Sequence, residues 1–279
     1  LADVHPDSLL FVTTSPVPQG KFKAVTEIGA KYGFTVEARF AERLQPQQVD
    51  NLFKGHDAVF FDAARSHMQE SVKSRLAKVL PGLKTPHIWM RDNGPLAEGF
   101  PQPIAERLHA YYTNGGQANY EGFFQTLAAH RQGKSLVGIA PPFIFPDAAV
   151  YHPKAPNLVF ATPAEYFRWK GIDPGSLATA RPPTIAIAFH QIYIGAEQTA
   201  FVDDLIARIE AAGAIALPYY AGVLGPHREM LTIADQPIAD AVINTQIVLD
   251  PEGRRSELAK LGIPVIQALA YRKGDEAAW

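Results

Sequence analysis

Short apolar runs alternate with helical patterns twice along this chain, and that alternation is what most restricts its fold. A strand, a helix and a further strand in succession build a parallel sheet with helices on its faces. In the first hundred or so residues the strand-like runs are Leu9 to Thr14, Phe34 to Ala38, Ala58 to Phe61 and His87 to Met90. Lys21 to Tyr32 reads as a helix ended by Gly33, a residue suited to the left-handed position after a helix. Pro46 opens a further helix that Gly55 closes. Ser66 with Gln69 reads as a capping box, followed by the stripe Val72, Leu76 and Leu80 until Pro81 stops it.

The pattern starts again at Thr184, after Arg181-Pro182-Pro183. Ile185 to Phe189 is expected as a strand, Glu197 to Ala212 as an amphipathic helix ended by Gly213, and Ile215 to Pro218 as the next strand. Ala241 to Ile243 and Pro264 to Leu269 complete the set as two buried strands around a short helix. Between the halves, Ala105 to Tyr112 and Gly116 to His130 read as helices, and Thr162, Pro163 and Glu165 cap another that ends at Gly171. The expectation is an α/β protein of two doubly wound parallel-sheet lobes, flavodoxin-like or Rossmann-like, joined by a helical insertion. Its parts are a lobe over 1–102, a helical and proline-rich connecting region over 103–183, and a second lobe over 184–279.

Length permits that division, since a chain of 279 residues can bury two cores. The prolines, 23 in number, cluster between 141 and 183, where they favour rigid extended connections. With 26 basic and 28 acidic residues the chain has no electrostatic footprint for nucleic acid or an anionic membrane. The absence of cysteine excludes disulfides, thiolate metal sites and a cysteine nucleophile. No apolar run reaches the ~18 residues of a membrane span. A cytoplasmic setting is expected, and a start at Leu1 rather than Met is also consistent with a removed export signal.

The turn after the first strand, Thr13-Thr-Ser-Pro-Val-Pro-Gln-Gly, lacks the glycines that let a backbone approach a pyrophosphate, so no dinucleotide cofactor is expected. The 9 histidines show no metal-site spacing, and no metal ligand set is assigned. His190 stands apart, because it follows a strand at the end where open α/β sheets bind ligands, and an imidazole there suits proton transfer. The alternative is a histidine satisfied within the fold. At the end of the fourth strand, Trp89 suits stacking on a flat ring and Arg91 suits pairing with a carboxylate. A core tryptophan and an Arg91-Asp92 turn account for the same residues. Tyr193 and Tyr219 are further aromatic candidates near strand ends. Asn114 and Asn119 flank the break at Gly115-Gly116, which as physics is a helix boundary with an amide hydrogen-bonded to a neighbouring loop.

Taken in order, several of these segments resemble the large subunits of cobaltochelatase (CobN) and magnesium chelatase. Gly115-Gly116-x-x-Asn119 precedes a Leu/Phe-rich helix as in that family, and Tyr151-His152-Pro153-x-Ala155-Pro156 resembles its Tyr-His-Pro-Asp-Ala-Pro segment, with Lys154 in place of the acid. Asp240-Ala-Val-Ile-Asn, Leu258, Leu261 and Gly262-Ile-Pro-Val-Ile-Gln-Ala continue the likeness. It departs at Phe189-His190-Gln191, where relatives commonly carry Tyr-Arg or a similar basic pair. The resemblance covers most of the chain from about residue 105 and only the architecture before that.

The resemblance implies a tetrapyrrole-binding portion of a chelatase large subunit, working with AAA+ ATPase partners to insert cobalt or magnesium into a corrin or porphyrin. No tightly bound cofactor is expected; the tetrapyrrole is substrate. His190 is then the candidate base, and Trp89, Arg91, Asn114, Asn119, Tyr193 and Tyr219 are the candidate substrate contacts. Because relatives run far beyond this length, the chain reads as an N-terminal portion or a paralogue that does not chelate metal alone. Two other readings fit an α/β pair of lobes, a glycosyltransferase-like enzyme holding a nucleotide sugar and a non-catalytic docking domain.

Overall fold

The computed structural model describes residues 7–15, 17–177, 182–222 and 224–268. They form a mixed α/β protein with two sheets dominated by parallel pairing, one in each of two compact units. One unit holds the described residues through Ile144 together with Ile194–Gln198. The other holds Phe145–Tyr193, as far as described, and the described residues from Thr199 on.

The first sheet contains β1 (Asp7–Thr13), β2 (Phe34–Phe40), β3 (Ala58–Asp62), β4 (His87–Met90) and β5 (Leu96–Glu98) in the order β2-β1-β3-β4-β5. The first four are parallel and β5 runs antiparallel to β4. Leu9 to Val12 and Val59 to Phe61 are wholly buried, which is why these strands read as continuous apolar runs rather than as alternation. Helices α1 (Gln19–Lys31), α2 (Pro46–Val49), α3 (Ser66–Leu76), α4 (Gln102–Asn114) and α5 (Gln117–Arg131) accompany the sheet. Phe123 and Phe124 of α5 enter its core, with ring centroids 5.2 Å from Phe60 and 5.5 Å from Phe34 respectively.

The second sheet contains β6 (Ala149–Tyr151), β7 (Val159–Phe160), β8 (Thr184–Ala188), β9 (Ile215–Tyr220), β12 (Ala241–Asn244) and β13 (Val265–Gln267), in the order β13-β12-β8-β9-β6-β7. A small hairpin of β10 (Thr232–Ile233) and β11 (Gln236–Pro237) lies between β9 and β12 in the chain. The helices are α6 (Pro163–Trp169), α7 (Ile192–Gly195, at the boundary of the units), α8 (Ala200–Ala211), α9 (Arg228–Leu231) and α10 (Pro251–Lys260). One face of the sheet carries Ala186, Ala188, Leu217, Tyr219 and Val242, which share a core with Met230, Leu231 and Ile238 and with Leu258 of α10.

The strand and helix positions follow the sequence pattern closely, and the differences have physical causes. The region 103–183, expected as a separate connector, is shared between the units. Helices α4 and α5 lend Tyr112 and Phe123 to the first aromatic core, while β6, β7 and α6 extend the second sheet and its core. The helix opened by Pro46 stops after one turn at Val49, and turns follow to Gly55. Ser66 is the first residue of α3 rather than its cap; Arg65 holds that place with no side-chain hydrogen bond, and the Gln69 amide donates to the Ala64 carbonyl at 3.2 Å. The Thr162 cap is present, its hydroxyl accepting from the Glu165 amide at 3.2 Å. The last strand is not buried: Val265 is 43 % and Ile266 60 % exposed. Register places Ile266 on the face opposite Val242, away from the core that α10 completes, and Leu269 lies outside the described residues.

Candidate functional site

In an open parallel sheet, ligands enter where consecutive connections leave on opposite sides of one strand. In the second sheet that place is the carboxyl end of β8, because the chain passes from β8 to β9 on one side and later returns to β12 on the other. A cavity of about 1200 Å³ opens there. Its volume is at or above the roughly 300–1,000 Å³ of ordinary small-molecule sites. Val242, Leu258, Ile263 and Val265 make its lining largely apolar, and Asn244, Gln246 and Gln267 supply amides. His190, Tyr193, His227, Arg254 and Arg255 add the ionisable and aromatic groups.

The amides hold the strand ends in register. The Gln246 amide nitrogen donates to the Phe189 carbonyl at 2.7 Å, and Asn244 donates to the Gln267 side-chain oxygen at 2.8 Å. Thr245 donates its hydroxyl to the Ala188 carbonyl at 2.8 Å, tying β12 to β8 at the cavity edge. These bonds link the carboxyl ends of β8, β12 and β13.

His190 sits in the loop after β8, as its place in the sequence indicates. Its Nε2 accepts from the Ile247 backbone N–H at 3.2 Å, so in the neutral ring Nδ1 carries the hydrogen. Burial lowers its pKa, and the imidazole is neutral near pH 7. To take up a proton at Nε2 it must release Ile247. Tyr193 lies beside it, with ring centroids 6.4 Å apart, and is braced edge-on by Phe201 at 4.9 Å.

Tyr219 is fully buried and does not line the cavity; its hydroxyl bonds Nδ1 of His227 at 2.8 Å. His227 is the residue that sequence reading passed over. It stands in the loop before α9, with no strand-end position or spacing to mark it, and only the fold brings it to Tyr219 and to α10. Its backbone N–H donates to Glu257 at 2.7 Å, and Glu257 also pairs with Arg254. Burial first, and the Arg254 cation second, push its pKa down to about 3.

The other four candidates belong to the first unit and none lines this cavity. Trp89 is buried with its ring stacked on Phe61, centroids 4.1 Å apart. Arg91 donates to the Gly94 and Pro95 carbonyls at 3.1 and 3.5 Å, bracing its own turn. Asn114 donates to the Ala110 carbonyl at 2.8 Å at the end of α4. Asn119 donates to the Gly115 and Phe143 carbonyls at 2.8 and 2.9 Å and accepts from the Phe143 N–H at 2.8 Å, which accounts for the Gly-Gly-x-x-Asn pattern as a loop anchor. In the second unit His152 of the Tyr-His-Pro segment is likewise enclosed, 4.8 Å from the Trp169 ring and 3.6 Å from Glu210. Among the described residues, no group of three histidine or carboxylate side chains is placed to hold a metal ion.

The family model for CobN/Magnesium Chelatase matches residues 109–279. The chain belongs to that family. It is 27 % identical over 184 residues to the aerobic cobaltochelatase subunit CobN of Sinorhizobium sp, covering 62 % of this chain and 14 % of the relative. It is 29 % identical over 119 residues to a magnesium-chelatase subunit of Rhodobacter capsulatus, covering 41 % of this chain and 9 % of the relative. The fold resembles the catalytic subunit of cobaltochelatase from Mycobacterium tuberculosis, with a TM-score of 0.58 at 20 % identity over 95 % of this chain and 21 % of that one. The chain therefore spans about one-seventh of the length of the CobN relative. No helix among the described residues is long and apolar enough to cross a membrane.

Proposed function

We propose that this chain is a tetrapyrrole-binding portion of a chelatase large subunit, serving insertion of cobalt or magnesium into a corrin or porphyrin. The observation that carries the proposal is the roomy, mostly apolar cavity at the switch point of the second sheet, in a chain of the chelatase family. Apolar walls suit the faces of a macrocycle, and a few fixed polar groups suit its edge. Metal insertion also requires that two pyrrole N–H protons leave, and a neutral imidazole is the appropriate acceptor. His190 meets that need once its Nε2 releases the Ile247 N–H, with Tyr193 beside it as a stacking surface. The metal is substrate, delivered in the full assembly with AAA+ ATPase partners, and this chain is not expected to chelate alone. A glycosyltransferase-like reading has less support, because among the described residues no glycine lines the cavity to form a backbone cradle for a diphosphate. Titration with a metal-free porphyrin tests the proposal: a saturable absorption shift weakened by His190→Ala supports it, and unchanged spectra at saturating protein remove it.

A further inference from the structure

A neutral His190 has one basic lone pair, and it is already in use. A backbone N–H only donates, so the bond from Ile247 fixes Nε2 as the acceptor and leaves the ring hydrogen on Nδ1. While that bond stands, neither ring nitrogen is open to a proton from a ligand.

The segment that occupies the imidazole is itself held by little else. On one side of it stands Gln246, 4 % exposed and bonded through its backbone and its side-chain nitrogen. The side chain donates to the Phe189 and Ala221 carbonyls at 2.7 and 3.4 Å, and the backbone N–H donates to the Asn244 side-chain oxygen at 3.2 Å. The Gln246 carbonyl accepts from the Asn244 and Gln267 amides, each at 3.3 Å. On the other side Asp250 accepts from the Gly253 N–H at 3.0 Å, and Pro251 begins α10. Between these anchors the backbone of Ile247, Val248 and Leu249 makes one hydrogen bond among the described residues, the one to His190. Its side chains are apolar yet poorly covered: Ile247 is 65 % and Leu249 64 % exposed, and Ile247 and Val248 line the cavity.

We infer that residues 247–249 are a latch on His190, shut by the Ile247 N–H and opened by a ligand whose apolar surface draws these side chains onto itself. A ligand shifts such an equilibrium only through contacts that differ between the two states, and the exposed Ile247 and Leu249 side chains supply them. Their burial outweighs the small net contribution of one hydrogen bond, and that bond is the one the segment must break in order to move. The inference rests on the macrocycle reading above and adds that His190 becomes a proton acceptor only once the cavity is filled.

The test uses the full chain with its histidine ring nitrogens labelled for NMR and titrated with deuteroporphyrin IX. The His190 Nε2 resonance is expected to leave the position of a hydrogen-bonded acceptor in step with the Soret change. Ile247→Ser with Leu249→Ser keeps the backbone N–H but removes the apolar purchase; the porphyrin should bind roughly tenfold more weakly, with Nε2 still bonded at equal occupancy. Ile247→Pro removes the N–H, so without ligand the His190 ring should react with diethyl pyrocarbonate about three- to tenfold faster than in the wild type, read by peptide mass spectrometry. Should that variant fail to fold, the wild-type titration decides. An Nε2 resonance that stays at the bonded position at saturating porphyrin, or a folded Ile247→Pro with unchanged His190 reactivity, overturns the latch while leaving the macrocycle reading standing. A Soret band that never moves overturns both.

Discussion

Replacing Phe123 with alanine tests whether α5 belongs to the first sheet's core, as the structure shows, or to a separable connector. Phe123 is fully buried and lies among Phe11, Phe60, Tyr112 and Phe124, with centroid distances of 6.3, 5.2, 5.9 and 5.2 Å. Removing a buried phenyl ring loses its transfer energy and leaves a void that the surroundings fill only in part, about 3–5 kcal/mol. The rings on all four sides are themselves buried and large, so collapse is limited and the upper half of that range is expected. At about 2–4 °C per kcal/mol for a unit of this size, the first unit's melting transition should fall by roughly 8–20 °C. Thermal denaturation followed by near-ultraviolet circular dichroism reads this directly, because that core is aromatic. Val137→Ala, at a side chain 91 % exposed, is the control and should shift stability by under about 0.5 kcal/mol. A Phe123→Ala loss below about 1 kcal/mol would refute the reasoning, since it would mean that α5 is not packed as described.

Lys21 and Tyr112 both meet the Asp62 carboxylate, at 3.0 and 2.8 Å, so Asp62→Asn should cost about 1–3 kcal/mol in urea denaturation by removing the partner of a partly buried ammonium, and adding Lys21→Met should recover part of the loss. Gly115→Ala should cost at least about 1 kcal/mol, because its φ is +65° and a Cβ would stand 2.3 Å from the Gly195 carbonyl oxygen; an unchanged denaturation midpoint would contradict that geometry. His227 is held neutral in the fold, so as pH falls from about 6.5 toward about 3 the unfolded chain takes up a proton that the folded chain refuses, and stability declines over that window. The decline should approach about 1.4 kcal/mol per pH unit from this residue, and the stability–pH slope of His227→Gln should be shallower by that amount; equal slopes would show that the ring is not held neutral.

Much of the fold is legible in the sequence because the parallel strands are short, apolar and separated by helices with clear ends. His87 to Met90 coincides with β4, and Gly33, Gly171 and Gly213 take positive φ after their helices. What escapes is what periodicity does not encode. Strands of two or three residues such as β5, β6 and β7 are too short to show a pattern, yet β6 and β7 join the central region to the second sheet. An amphipathic stripe says that α5 packs, but not on which sheet. The run Pro264 to Leu269 is apolar enough to read as buried, yet burial depends on whether anything covers Ile266.

The site divides in the same way. His190 and Tyr193 follow from a strand-end rule that is topological, and the cavity lies at the switch point. Trp89, Arg91 and Asn119 look equally suitable as residue types, but their rings and donors are engaged in packing and in turns. Tyr219, expected as a contact, is instead buried behind the lining, with its hydroxyl bonded to His227. His227 itself has no signal in the sequence, since its meaning depends on Tyr219 eight residues earlier and on Arg254 and Glu257 of α10.

The most direct measurement is titration of the full chain with a metal-free porphyrin, followed through the Soret band, alongside Ala259→Trp. Ala259 is an exposed residue of α10 on the cavity lining, so an indole there obstructs the cavity at little expense to the fold. The account expects a saturable shift with about one macrocycle per chain in the wild type, and its loss in Ala259→Trp. A spectrum that never moves, or one that moves identically with the cavity obstructed, contradicts it.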